Sequence, residues 1–151
     1  MAIYTISQLQ QILWQAGWPE DLIPIMSSIG MAESSGRSNA LNNRPGREYS
    51  VGLWQINLLA HPQYSRPQME DPLQNARAAL AIYRSQGLRA WGSYTDGRYR
   101  QYLTPATSAA ATVGNVTDLF KLPDSVLTPE NAKVWIAVAI GALLALKILR
   151  D

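Results

Sequence analysis

"GMAESSGRSNALNN", residues 30–43, holds one acid, Glu33, at the point where a helical pattern gives way to Ser, Gly, Arg and Asn. Upstream, Leu22, Ile25, Met26 and Ile29 recur at the spacing of one helix face, and a further step of four lands on Glu33. The pattern predicts a helix starting near "WPED", with Pro19 in its first turn and Glu20 and Asp21 at the positive end of its dipole. An acid is thereby expected on a core face. Desolvation and the negative end of the helix dipole both disfavour its charged form there, so a proton-bearing carboxyl near neutral pH is expected. Breaking a glycosidic bond needs such a group, because the alkoxide leaving group must be protonated as the bond opens. The plainer alternative is a helix that simply ends at Glu33 with the carboxylate in water.

Working outward, an earlier helix is predicted from the stripe Ile6, Leu9, Ile12 and Leu13, capped by Thr5 or Ser7 and stopped at Gly17. A later one follows from "DPLQNARAALAIYRSQG", with Asp71 as N-cap, Pro72 at the first position and Gly87 beyond the end. Between them, "GRSNALNNRPGREYSVGLWQINLLAHPQYSRP" is rich in turn formers around one short apolar run, which predicts loops framing a small hairpin. The fold class expected is mainly α, with a minor β hairpin, over residues 1–103.

Residues 104–127 are expected to be a flexible linker. Its first part, "TPATSAAATVGNVT", is uncharged, lacks apolar periodicity and could stretch to about 50 Å. Residues 128–151 are expected to form a separate C-terminal helix, with Thr128 as cap and Pro129 opening it. The apolar run Val134–Leu146 has 13 residues. That is about 20 Å of helix against a hydrocarbon core of about 30 Å. With Lys147 snorkelling, Ile148 and Leu149 lengthen the span, and Trp135 suits an interface, so residues 134–149 are expected to contact a membrane. A buried or oligomeric helix is the alternative.

Composition narrows the function. Hydrophobic residues make up 47% of 151, enough for a core, and 13 Lys and Arg against 11 Asp and Glu leave a formal charge of +2. No basic stripe stands out, which argues against a nucleic-acid partner. Without Cys there is no disulfide, thiolate metal site or thiol nucleophile. His61 has no partner cluster in the sequence, so neither a metal site nor a cofactor is expected.

"AESSG" at residues 32–36, followed by "GLWQIN" at 52–57 and by "DPLQNARAALAIYRSQGLRAWGSYTDGRYRQYL", resembles the lysozyme superfamily, and within it the lytic transglycosylases, goose-type lysozymes and phage tail-associated lysozymes. The resemblance covers roughly residues 6–103. It implies an α+β lysozyme-like fold, a helix ending in a Glu-Ser pair that carries the catalytic acid, and a cleft floor formed by a Gly-Leu-Met-Gln-like segment. Trp54 stands where Met is usual, a departure consistent with the phage branch.

On this reading Glu33 is general acid, then general base. Ser34 would support its orientation, or simply cap the helix. Gln55 and Asn57 alternate with apolar neighbours, so their amides could face sugar hydroxyls or an N-acetyl group, or bond within the fold. Tyr94 and Tyr99 are candidates to stack on sugar rings, as are Trp54 and Trp91, although large aromatics more often fill cores. A second carboxylate would be Glu48, better explained by an exposed ion pair, or Asp96, better explained as a turn residue. The resemblance implies that one glutamate suffices, the substrate's N-acetyl group stabilising the cation and its 6-hydroxyl attacking to leave a 1,6-anhydro end.

The start "MAIYTISQLQQILWQAG" lacks a basic region followed by a continuous apolar stretch, so no secretory signal peptide is expected. Peptidoglycan lies outside the cytoplasmic membrane. The expectation is therefore a virion-associated, membrane-associated enzyme that acts on peptidoglycan glycan strands during phage entry, alongside other virion proteins. The alternatives are a non-catalytic glycan-binding virion component, a hydrolytic lysozyme of lysis, or a secretion-system enzyme of the bacterial inner membrane facing the periplasm.

Overall fold

The computed structural model describes residues 2–106. Helix α1, Ile6–Gln15, opens on a capping box in which Thr5 and Gln8 each accept from the other's backbone N–H. Leu9, Ile12 and Leu13 are fully buried along its inner face. The chain then makes a 3-10 turn at Glu20–Leu22 before helix α2, Ile23–Ser34. The expected start near Pro19 is thus a few residues early. Pro24 explains the shift, because it has no N–H to bond back to Glu20 and is tolerated only in the first turn, where that N–H would be unsatisfied anyway.

Helix α2 is the centre of the molecule. Met26, Ser27, Ser28, Ile29 and Gly30 are all buried, so it is enclosed on nearly every side. The indole of Trp54 lies against it, its Nε1 donating to the Met26 carbonyl at 2.9 Å. A Cβ at Gly30 would sit 3.0 Å from that Nε1 and 3.2 Å from Cε2. Gly30→Ala gains about 1 kcal/mol of helix propensity. Overpacking costs about 1–3 kcal/mol, and a fully buried, hydrogen-bonded ring has nowhere to go. The variant should therefore melt several degrees below the parent; an equal or higher melting temperature would show that the indole yields freely.

Strands β1, Leu41–Arg44, β2, Glu48–Val51, and β3, Ile56–Asn57, form an antiparallel sheet in the order β1-β2-β3. One strand more than the expected hairpin is present. The hairpin register pairs Leu41 with Val51 and Arg44 with Glu48. Pro45 and Gly46 close it, with Gly46 at φ 70 and Arg47 N–H bonded to Arg44 O, the arrangement that Pro-Gly favours at the centre of a turn. Residues 52–55 form a tight turn rather than a strand. Gly52 sits at φ 86 and Gln55 at φ 47, and the reversal places Leu53 and Trp54 both in the core.

After the short helix α3, Arg66–Glu70, helix α4 spans Pro72–Gln86, capped by the Asp71 side chain on Gln74 N–H and followed by Gly87, as the sequence predicts. Its buried Ala76, Ala78 and Ala79 leave room for Trp18, whose Nε1 donates to Ala76 O at 3.1 Å. Asn75, with no exposure, donates to Val51 O at 3.0 Å and Met69 O at 2.8 Å and accepts from Trp54 N–H at 2.9 Å. One amide thereby ties α4, α3 and the turn under α2 together. Helix α5, Gly92–Thr95, and a 3-10 segment, Arg98–Tyr102, both pack on α2. Ala106 is buried, and its carbonyl accepts from Gln10 Nε2 at 2.6 Å.

Among the described residues no helix is long and apolar enough to cross a membrane. Of the linker expected at 104–127, residues 104–106 are helical rather than extended and end on the buried Ala106, which Gln10 ties to α1. The rest of it and the expected helix at 128–151, with its membrane contact at 134–149, lie outside the described residues.

Candidate active site

Glu33 occupies the last turn of α2, and the chain leaves the helix through Ser35 in the left-handed conformation at φ 54. A non-glycine residue there costs about 1–2 kcal/mol. The strain stands two residues from the acid. Glu33 is half-buried, not embedded in the core as its place on the apolar stripe predicts. The enclosed part of α2 ends one turn earlier, where Gly30 meets Trp54, and the last turn emerges beside α5. Glu33 Oε1 accepts from Ser93 N–H at 3.0 Å, which fixes one oxygen and leaves Oε2 without a protein partner among the described residues.

Ser34, expected near the substrate, points inward. It is 1% exposed, donates to Gly30 O at 2.9 Å and accepts from Gly36 N–H at 3.2 Å. Both capacities of the hydroxyl go into closing the helix, the alternative its position allowed.

Gln55 is half-buried, and its Nε2 donates to Ala40 O at 3.1 Å and Gly52 O at 3.0 Å, so the amide braces the turn it belongs to. Only its oxygen is left for a ligand among the described contacts. Asn57 shows the reverse: its Oδ1 accepts from Tyr49 N–H at 3.2 Å and Leu59 N–H at 3.1 Å, leaving the NH2 group. Each amide thus spends one end on the fold.

Tyr94 and Tyr99 do come together, their rings stacked at 5.1 Å with an interplanar angle of 29°. They sit on the two segments that pack against α2, and both are half-buried. Trp54 and Trp91 are core residues; the Trp91 Nε1 donates to Trp54 O at 2.9 Å.

Neither candidate second acid is free. Glu48 Oε1 accepts from the Ser50 hydroxyl at 2.8 Å, and its other oxygen lies 3.9 Å from Arg44 Nε, so the ion pair is with Arg44 across the hairpin. Asp96 follows α5 and accepts from Arg98 N–H at 2.9 Å and Arg98 Nε at 2.7 Å. Arg98, first through its backbone N–H and then through its guanidinium, holds the Asp96 carboxyl below the usual carboxylate range. Asp96 in return raises Arg98, and Glu33 adds a weaker Coulombic pull in the same direction. The Arg98 guanidinium is thereby held by Asp96.

Ser93 is the member of this neighbourhood that sequence reasoning missed. "GSYTDGR" carries no spacing that points at Glu33, sixty residues before Ser93, and only the packing of α5 on α2 brings the two together. Among the described residues, no group of three His, Cys, Asp or Glu could hold a metal ion.

No curated protein matches the chain. The family model for the lysozyme-like domain matches residues 10–93, more than half of the chain, from α1 through the Ser93 that holds Glu33. With a mainly helical body, a small antiparallel sheet and a glutamate at the end of its central helix, the chain belongs to the lysozyme-like domain family.

Proposed function

We propose that the protein is a peptidoglycan lytic transglycosylase that cleaves the β-1,4 bond between N-acetylmuramic acid and N-acetylglucosamine, with Glu33 as its acid and base. Membership of the lysozyme-like family supports peptidoglycan as substrate. The observation that carries the choice of chemistry is the state of the other carboxylates. Asp96 has both oxygens bonded by Arg98, and Glu48 has one oxygen bonded by Ser50 and the other in an ion pair at 3.9 Å with Arg44. Among the described residues, by contrast, Glu33 has no cation paired to it and keeps Oε2 without a partner. Two-carboxylate glycosidases need a second acid facing the bond, which neither of these engaged groups supplies.

In the proposed reaction Glu33 gives its proton to the bridging oxygen as the bond from the muramic C1 breaks. The substrate's N-acetyl oxygen stabilises the cation at C1. The 6-hydroxyl oxygen then attacks C1 and returns its proton to the Glu33 carboxylate, which closes the 1,6-anhydro ring and restores the acid. The stacked Tyr94 and Tyr99, with the free ends of Gln55 and Asn57, are the proposed sugar contacts. Delivery by a virion, with residues 134–149 at a membrane, is part of the same proposal; its support is the apolar run and the tryptophan in "GLWQIN".

Digesting purified peptidoglycan with the full chain and weighing the fragments tests this. Products lighter by one water, with anhydro ends, are expected. Reducing ends would assign hydrolysis instead, and binding without release would assign glycan recognition.

A further inference from the structure

Ser93 has no exposure, yet its hydroxyl has no hydrogen-bond partner among the described residues. Four other buried serines behave differently: Ser27 and Ser28 donate to Pro24 O, Ser34 to Gly30 O and Ser50 to Glu48. A serine deep in a helix can turn its hydroxyl back onto a carbonyl of the preceding turn, as Ser85 does with Ile82 O. Ser93, second residue of the four-residue α5, has no preceding turn of its own helix to bond to, and its buried hydroxyl is left desolvated without compensation. The same residue's N–H already holds Glu33 Oε1 at 3.0 Å.

We propose that Ser93 is a positioning residue for Glu33: its hydroxyl turns onto the carboxylate when the proton leaves for the sugar oxygen, so that one serine donates both N–H and O–H to the anion. This rests on Glu33 being the acid. The chemistry suits the geometry, because Oγ is only two carbons from the amide nitrogen, and a staggered χ1 rotamer places it on the N–H side. A hydroxyl hydrogen also rotates freely to meet an acceptor. Before proton transfer the acid's needs are met by the amide bond alone. Afterwards a full negative charge must be held, and a charge-assisted bond is about twice as strong as a neutral one. A donor kept idle in the resting state and engaged only after the proton moves stabilises the reaction without tightening substrate binding.

The test compares parent, Ser93→Ala and Glu33→Gln, each as the full chain, on soluble peptidoglycan glycan fragments. Ser93→Ala keeps the backbone N–H and removes only the hydroxyl. A fall in kcat of about ten- to a hundredfold, the worth of one hydrogen bond to a charge, is expected with KM within about twofold. The melting temperature should not fall, since an uncompensated polar group has been removed. A merely structural serine would leave kcat unchanged, and that result overturns the proposal. Should Ser93→Ala not fold, Ser93→Gly, which also lacks the hydroxyl, carries the same comparison. Parent-like activity in Glu33→Gln would remove the functional reading itself, whereas an inactive Glu33→Gln beside an unimpaired Ser93→Ala removes only the role of Ser93.

Discussion

Glu33→Gln is expected to lower wall-cleaving turnover by about 10²–10⁴-fold, the usual contribution of a positioned proton donor and acceptor. The fold should not register the change. A glutamine oxygen still accepts from Ser93 N–H, its volume is nearly that of glutamate, and no buried ion pair is broken. What the amide cannot do is give a proton to the bridging oxygen or take one from the attacking hydroxyl. Clearing of a peptidoglycan suspension, measured beside the melting curve, checks both halves. Turnover above about a tenth of the parent's would mean that the proton comes from elsewhere. Loss of folding would mean that the carboxyl itself, and not only its bond to Ser93 N–H, serves stability.

The largest stability effect is expected at Asn75, where Asn75→Asp should cost about 3–5 kcal/mol, a large part of the roughly 5–15 kcal/mol that holds a domain together. The substitution preserves shape, so no cavity complicates the result. One oxygen still accepts from Trp54 N–H, but the other replaces the NH2 that donates to Val51 O and Met69 O. Acceptor then faces acceptor in a site with no exposure, and any charge there is unpaired. The turn from Gly52 to Gln55 loses its anchor, and with it Trp54, which supports α2 at Gly30 just before the helix reaches Glu33. Calorimetry should show a melting temperature lower by on the order of 20 °C. A drop under about 5 °C would show that the loop carbonyls find other donors.

Helices α1 and α4 were legible almost to the residue, because their signals are local: Thr5 or Ser7 before the first apolar stripe and Gly17 after it, Asp71 before Pro72, and Gly87 beyond Gln86. The start of α2 was misread because Pro19 and Pro24 both suit a first turn, and only the 3-10 turn between them shows which one opens the helix. The alternation around Gln55 and Asn57 suggested a strand, yet two positive φ angles make most of it a turn. Glu33 was singled out as the candidate acid by its place on a stripe and by family likeness, but its depth was overestimated, since periodicity marks a face and not where neighbouring elements stop covering it.

By itself the sequence determined the three longer helices, that a hairpin lies between the second and third of them and which acid ends the central helix, because capping, proline and glycine chemistry and apolar spacing act within a few residues. Only the tertiary structure decided that Ser34 faces inward, that Glu48 and Asp96 are already paired, and that Ser93 stands beside Glu33. Those outcomes depend on contacts between segments up to sixty residues apart, whose geometry is set by how α2, α5 and the Trp54 turn pack together rather than by any local preference.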